Sequence, residues 1–143
     1  MADAQALEFS SVHALGSGGG YFSSVLKPAT PTDADAWVWL AYDQLHPSML
    51  SSLSLDGTVG VVLIESSAKA RRRPYHQQKL GVLLSNQRHF AVELQDAGTP
   101  VVYVSTHEGY GEALASLTAE VGPIHCIRAA ERELREEVAS LVE

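Results

Sequence analysis

The run Thr58-Val-Gly-Val-Val-Leu-Ile64 decides the fold of this chain. It is apolar, rich in β-branched residues and free of polar alternation, which is typical of a strand buried on both faces of a parallel sheet. A similar run, Trp37 to Tyr42, precedes it, and the runs Pro100 to Val104 and Ile124 to Ile127 follow it. The sequence therefore predicts four short, buried strands.

Helical patterns separate these strands. They cover Ser48 to Leu53, about Tyr75 to Ala97, Tyr110 to Val121 and Glu131 to Leu141. In the longest one, the expected buried stripe is Leu80, Leu83, Leu84, Phe90 and Leu94. Strand–helix–strand repeats require a parallel sheet with right-handed crossovers. The sequence thus predicts an α/β fold, a Rossmann-like, doubly wound parallel sheet of about four strands.

Residues 1–36 differ in composition from the remainder. They contain the run Gly16-Ser-Gly-Gly-Gly20 and two prolines, Pro28 and Pro31, which interrupt regular structure. We expect an irregular, flexible or partner-docking extension, followed by one α/β domain over 37–143. The apolar pieces Tyr21-Phe22 and Val25-Leu26 would dock on the domain or on a partner. The glycine run lacks the flanking strand and helix that a phosphate-binding loop requires.

Composition and charge exclude several classes of protein. The chain has 143 residues, of which 45% are hydrophobic and 19% charged, enough for one domain with a real core. Its net charge of −7 disfavours nucleic acid as a partner of this chain alone. A single cysteine excludes an internal disulfide and a four-thiolate cluster. With no membrane-length apolar run and no signal-peptide pattern, we expect a cytoplasmic protein without a membrane partner.

Polar side chains follow the first two strands at the points where they end. Ligands of open parallel sheets bind at the carboxyl ends of the strands, so Asp43, Gln44, Leu45 and Glu65 are the candidate binding residues. Asp43 is equally suited to cap the short helix after it, whereas Gln44 has no evident structural role, which favours binding. No nucleophile is paired with a base and no metal-ligand spacing occurs, so we expect neither catalytic residues nor a metal site.

The one dense basic patch is Arg71-Arg72-Arg73, with His76 and Lys79 following on the long helix. His76 and Lys79 are three residues apart and share a helix face. These five side chains are candidates for phosphate or partner contacts. The alternative is an ordinary solvated loop.

Several of these segments together are similar to one known family. The run Tyr42-Asp-Gln-Leu-His-Pro47 after an apolar strand resembles the first strand–loop of the bacterial photolyase-related proteins, the iron–sulfur relatives of cryptochromes and photolyases. The second signature of that family is matched by Glu65, by Arg73-Pro-Tyr-His-Gln-Gln-Lys-Leu80, and by Leu84-Ser-Asn-Gln-Arg-His-Phe90 with Glu93-Leu94. The resemblance covers roughly 37–130.

The resemblance implies an N-terminal α/β domain that holds a ribityl-lumazine antenna chromophore in some members. Asp43, Gln44 and Glu65 match positions that line that site, and Leu45 belongs to the same loop. In the family, FAD, the iron–sulfur cluster and damaged DNA are bound by a helical C-terminal half. We therefore expect no FAD or iron–sulfur site in this chain and no DNA repair by it alone.

Three functions remain open at this point. The first is an antenna-chromophore or cofactor-binding module, working alone or with a separate catalytic chain. The second is a ligand-free interaction subunit that contacts a larger partner through an unpaired sheet edge or through the 1–36 extension. The third is a nucleotide-binding domain, which ranks last because no glycine-rich loop follows the fourth strand at Arg128-Ala-Ala-Glu131. An independent enzyme is not expected.

Overall fold

The computed structural model describes residues 25–26, 29–66, 77–128 and 132–139, and within these ranges it leaves the side chains of 77–80, 133, 134 and 137 undescribed. The strands are β1 (Ala36–Trp39), β2 (Val59–Ser66), β3 (Val101–Thr106) and β4 (Ile124–Cys126). The helices are α1 (Ser48–Ser51), α2 (Gln77–Asp96), α3 (Tyr110–Val121) and α4 (Arg132–Val138), with a short 3₁₀ helix at Pro31–Asp33.

The four strands form one sheet in the order β3-β2-β1-β4, and every pair is parallel. Val38 lies opposite Val61 on one side of β1 and opposite His125 on the other. The predicted doubly wound α/β fold is confirmed. The chain proceeds from β1 to β2 and β3 on one side of β1, and then returns to place β4 on the other side of β1. The sheet therefore changes winding direction between β1 and β4, which in such folds opens a crevice at the carboxyl ends of those strands.

Alternate residues of each strand point into two separate cores, one on each face of the sheet. On one face, α2 packs Phe90, Ala91 and Leu94 against the sheet, and α1 adds Met49 and Leu50 at the margin. The sheet side of this core consists of the strand residues Val38, Val61, Leu63, Val101 and Tyr103 and of Leu40, which follows β1. On the other face, α3 and α4 cover Trp37, Trp39, Ala41, Val62, Ile64, Val102 and Val104. Burial on both faces explains why the strands show no polar alternation.

The buried stripe of α2 is confirmed only in part. Phe90 and Leu94 are buried, Leu83 and Leu84 are half-buried, and the side chain of Leu80 lies outside the description. Gln87, a polar residue absent from the expected stripe, is 4% exposed. Its burial is possible because its amide is hydrogen-bonded within the core, as described below.

Several element boundaries differ from the sequence prediction. β1 ends at Trp39 and not at Tyr42, while β2 continues through Glu65 to Ser66. β3 also extends to Thr106, because Glu65 and Ser66 pair with Ser105 and Thr106. Backbone pairing carries these strands past the end of their apolar runs. α4 is described over Arg132–Val138, and positions 131, 140 and 141 of its predicted span lie outside the described residues, whereas α3 has its predicted bounds.

Part of the N-terminal extension packs on the domain. Leu26 is 3% exposed within the α2-side core, and the Gln95 amide donates to the Val25 carbonyl at 2.8 Å. Ala29 is buried on the opposite face. Of the two expected docking partners for Val25-Leu26, the structure shows the domain itself. Tyr21-Phe22 and the glycine run lie outside the described residues.

None of the helices in the described ranges is both long enough and apolar enough to cross a membrane.

Gly60 is required by the close approach of a buried ring. A Cβ atom at this position would lie 2.5 Å from the six-membered ring of Trp37, which is 1% exposed and has no room to move. We expect Gly60→Ala to lower the free energy of unfolding by about 1–3 kcal/mol. Gly81→Ala is the control, because nothing lies within 4 Å of its new methyl group on α2. It should raise stability by about 0.5–1 kcal/mol. Urea unfolding of both variants measures the difference, and a Gly60→Ala protein as stable as the wild type would contradict this packing.

Candidate functional site

A cavity of about 570 Å³ lies beside the carboxyl end of β1, between the loop that follows this strand and α2. We call it the α2-side cavity. It is lined by Tyr42, Asp43, Leu45, Asn86, His89, Phe90 and Glu93. The loop contributes Tyr42, Asp43 and Leu45, and α2 contributes the other four. Asn86 lies three and four positions before His89 and Phe90, and Glu93 lies four and three positions after them, so all four share one side of the helix.

Asp43 is exposed and lies in the wall of this cavity. The alternative role that the sequence left open, capping of α1, is not observed, since α1 begins without a side-chain cap. The nearby His46 ring contacts the start of α1 instead, with its Nδ1 accepting from the Ser48 backbone N–H at 3.1 Å. Asp43 is thus left facing the cavity and not the helix.

Gln44 turns its side chain in a different direction. Its Oε1 accepts from the Ala41 N–H at 3.0 Å, and its Nε2 donates to the carbonyls of Ile127 at 3.1 Å and Arg128 at 3.4 Å. The side chain is 7% exposed. Gln44 therefore has a structural role that the sequence did not reveal: it ties the β1 loop to the segment after β4, across the switch in winding direction.

Glu65 is held in a buried polar cluster at the end of β2. Arg88 of α2 forms a bidentate ion pair with it, with Nε–Oε1 at 2.7 Å and Nη2–Oε2 at 3.1 Å. The Tyr103 hydroxyl donates to the same Oε1. Gln87 completes the cluster by donating to the Tyr103 hydroxyl at 3.2 Å and to the Ile64 carbonyl at 3.0 Å.

The electrostatics of this Glu65 cluster follow from its burial and its charges. Removal from water, together with the neighbouring Glu65 carboxylate, raises the pKa of Tyr103 far above its usual range. The hydrogen bond to Glu65 raises the pKa of Arg88 despite partial burial. Tyr103 thus remains a neutral donor and Arg88 a permanent cation.

The structure brings two of the four candidate binding residues, Asp43 and Leu45, into one cavity. Gln44 and Glu65 direct their polar groups into internal hydrogen bonds, and they position the two walls of the cavity: Gln44 fixes the loop, and Glu65 fixes α2. Arg71–Arg73 and His76 lie outside the described residues, as does the side chain of Lys79, so the role of the basic patch stays a prediction.

Sequence reasoning missed the contribution of α2 to the site. Asn86, His89 and Glu93 recur at intervals of three and four residues within a run used for the family resemblance, and that spacing was the available signal. Arg88, Gln87 and Tyr103, the partners of Glu65, left no such signal.

The groups around the α2-side cavity suit binding better than catalysis. Two carboxylates, an amide and an imidazole offer acceptors and donors, and Tyr42 and Phe90 offer aromatic surface. This mixture of apolar walls and a few polar groups is typical of small-molecule sites. Within the described ranges, no group of three or more His, Cys, Asp or Glu side chains is arranged to hold a metal ion.

Removal of the Tyr103 hydroxyl should have a pH-dependent cost. At pH 7 we expect Tyr103→Phe to lower the free energy of unfolding by about 1 kcal/mol, since a buried hydrogen bond to a carboxylate is lost. Folding raises the pKa of Tyr103, so its contribution is complete below the unfolded pKa of about 10 and falls as the pH rises above it, where the unfolded chain ionises and the folded one does not.

The gap between wild type and Tyr103→Phe should therefore narrow above pH 10. Urea unfolding of both proteins from pH 7 to pH 11 measures it. A gap that stays constant over this range would contradict the burial of the hydroxyl beside Glu65.

Comparison with known proteins agrees with this architecture. No curated protein matches the chain. The sequence model of the family described as "Deoxyribodipyrimidine photo-lyase-related protein" matches residues 38–143, beginning at the third residue of β1. Because that match covers well over half of the chain, the chain belongs to the photolyase-related protein family.

Proposed function

We propose that this domain binds a flat heterocyclic chromophore of the ribityl-lumazine type in the α2-side cavity, and that it serves as an antenna or cofactor-binding module for photolyase-type chemistry. The observation that carries the proposal is that Asp43, which the resemblance marks as an antenna contact, lines one cavity together with Leu45 of the same loop and the polar face of α2. The cavity volume of about 570 Å³ lies within the range of small-molecule sites.

The chemistry of the walls fits such a ligand. Phe90 and Tyr42 offer aromatic surface for a planar ring. A ribityl chain carries several hydroxyl groups, and the carboxylates of Asp43 and Glu93 are acceptors for hydroxyl donors. Asn86 and His89 offer further donors and acceptors for the ring edge. A neutral polyol-substituted heterocycle matches these groups better than a phosphate would, because the two carboxylates repel an anion.

The alternative is a ligand-free interaction subunit. It is favoured by the sheet edges: β3 and β4 are the outer strands, and no further strand pairs with either of them in the described part of the chain. Unpaired strand edges are surfaces to which another chain can add. A colourless protein that stays empty when offered the chromophore, and that elutes as a larger assembly, would support this alternative.

Chromophore binding is tested by titration with a dimethyl ribityl-lumazine. We expect its fluorescence and absorption spectra to change on binding, and mass spectrometry of denatured, freshly purified protein to find the same class of compound. Asp43→Asn should weaken binding about tenfold, because a charge-assisted hydrogen bond contributes roughly 1.5 kcal/mol or more.

Asp56→Asn is the matched control for that titration. Asp56 is an exposed carboxylate on the turn before β2 and lies outside the cavity wall. It should leave the affinity unchanged. Equal affinities for the wild type and Asp43→Asn would rule out the α2-side cavity as the binding site.

A further inference from the structure

A second cavity, of about 410 Å³, lies beside the carboxyl ends of β1 and β4 and beside α4, and we call it the α4-side cavity. It is lined by Trp39, Cys126, Ile127, Arg128, Arg135, Val138 and Ala139. Trp39 and Val138 belong to the core beneath α3 and α4, whereas Phe90 of the α2-side cavity belongs to the other core. The two cavities share no lining residue.

The wall of this cavity holds an unsatisfied hydrogen-bond donor. Trp39 is 2% exposed, and its buried indole Nε1 has no hydrogen-bond partner among the residues that the structure describes. The other tryptophan, Trp37, has a partner: its Nε1 donates to the Pro31 carbonyl at 3.3 Å. Buried N–H groups in folded proteins nearly always have a partner, so an unpartnered donor beside a cavity points to an acceptor that the described residues do not supply.

The position of the cavity is the one that this sheet topology reserves for ligands. Trp39 and Cys126 are paired residues at the carboxyl ends of β1 and β4, the two strands between which the winding direction changes. Ligands of open α/β sheets bind in the crevice at that point. Gln44 holds the carbonyls of Ile127 and Arg128, which fixes the chain after β4 at the cavity rim.

The charged groups of the wall favour an anion. The side chains of Arg128 and Arg135 both line it, and guanidinium groups bind phosphate and carboxylate through paired N–H donors. Burial raises the pKa of the Cys126 thiol, which therefore contributes a neutral, apolar surface at pH 7 together with Val138 and Ala139. The net charge of −7 disfavours a polyanion, so the ligand is a small one.

We propose that the α4-side cavity is a second ligand site, for a small anion carrying a planar, acceptor-bearing ring, the chemistry of a nucleoside monophosphate. The anionic group binds Arg128, and an acceptor atom of the ring or sugar accepts a hydrogen bond from the Trp39 indole N–H. The site is independent of the chromophore proposed for the α2-side cavity, and either can fail without the other.

The indole N–H of Trp39 is itself the reporter for the test. The chain has two tryptophans, so the proton–nitrogen correlation spectrum of the ¹⁵N-labelled full chain shows two indole signals, and Trp39→Phe identifies one by removing it. Titration with adenosine monophosphate should shift the Trp39 signal and leave the Trp37 signal in place. A Trp39 signal that does not move at millimolar nucleotide overturns the proposal.

Calorimetric titration of exposed-site variants tests the anion contacts without risk to folding. Arg128→Gln should weaken nucleotide binding about tenfold or more, as expected for a charge-assisted hydrogen bond. Arg132→Gln is the control with the same change of charge: Arg132 lies on α4 but outside the cavity, with its side chain 84% exposed and paired with Glu136 at 2.8 Å. Equal weakening by the two substitutions would indicate general electrostatic attraction and overturn the site.

Further titrations measure how much the phosphate half and the nucleoside half of the ligand each contribute to the affinity. Inorganic phosphate alone and adenosine alone should each bind at least tenfold more weakly than the nucleotide. If phosphate binds as tightly as the nucleotide, the cavity recognises only the anion, and the proposal is overturned. Asp43→Asn should leave nucleotide binding unchanged. Loss of chromophore binding with retained nucleotide binding, or the reverse, distinguishes failure of the two proposals.

Discussion

The ion pair between Glu65 and Arg88 is the contact on which the geometry of the α2-side cavity depends. Glu65 is the penultimate residue of the inner strand β2, and Arg88 lies near the middle of α2, so the pair fixes where along the sheet this 20-residue helix sits. Two donors that meet two acceptors allow little sliding or rotation of the helix. Tyr103 from β3 adds a third element to the same carboxylate, so two strands and a helix meet at one buried acid.

A buried ion pair of this kind is weak evidence for stability, because the cost of removing both charges from water offsets much of their attraction. Its clearer effect is on register. A helix displaced by one residue rises 1.5 Å and turns by about 100°, which would move Asn86, His89 and Glu93 away from the β1 loop. The apolar contacts of Phe90, Ala91 and Leu94 would tolerate such a shift better than the Glu65 cluster would, since apolar packing has no directional donors.

How far the sequence could predict this structure depends on the distance over which each interaction acts. α3 was predicted with its observed bounds because its signals are local: an apolar stripe and Gly122, which adopts a positive φ of 84° after the last turn. Asp43 and Leu45 could be placed at the site because strand ends and loops follow from the apolar runs. The role of Gln44 could not, because its partner carbonyl belongs to Ile127, 83 positions away, and nothing local marks that pairing. The internal partners of Glu65, a predicted binding residue, could not be predicted for the same reason, since Arg88 and Tyr103 lie 23 and 38 positions from it.

Gln44 and the Glu65 cluster together explain why one short sheet can present two separate cavities. Gln44 joins the loop after β1 to the segment after β4, so its neighbour Leu45 lines the α2-side cavity while its acceptors Ile127 and Arg128 line the α4-side cavity. A single buried amide thus sets the rim of both. The two walls differ in charge: carboxylates face the α2-side cavity, and guanidinium groups face the other. Because like charges repel, the carboxylates disfavour an anion in the α2-side cavity, whereas the guanidinium groups disfavour a cation in the α4-side cavity.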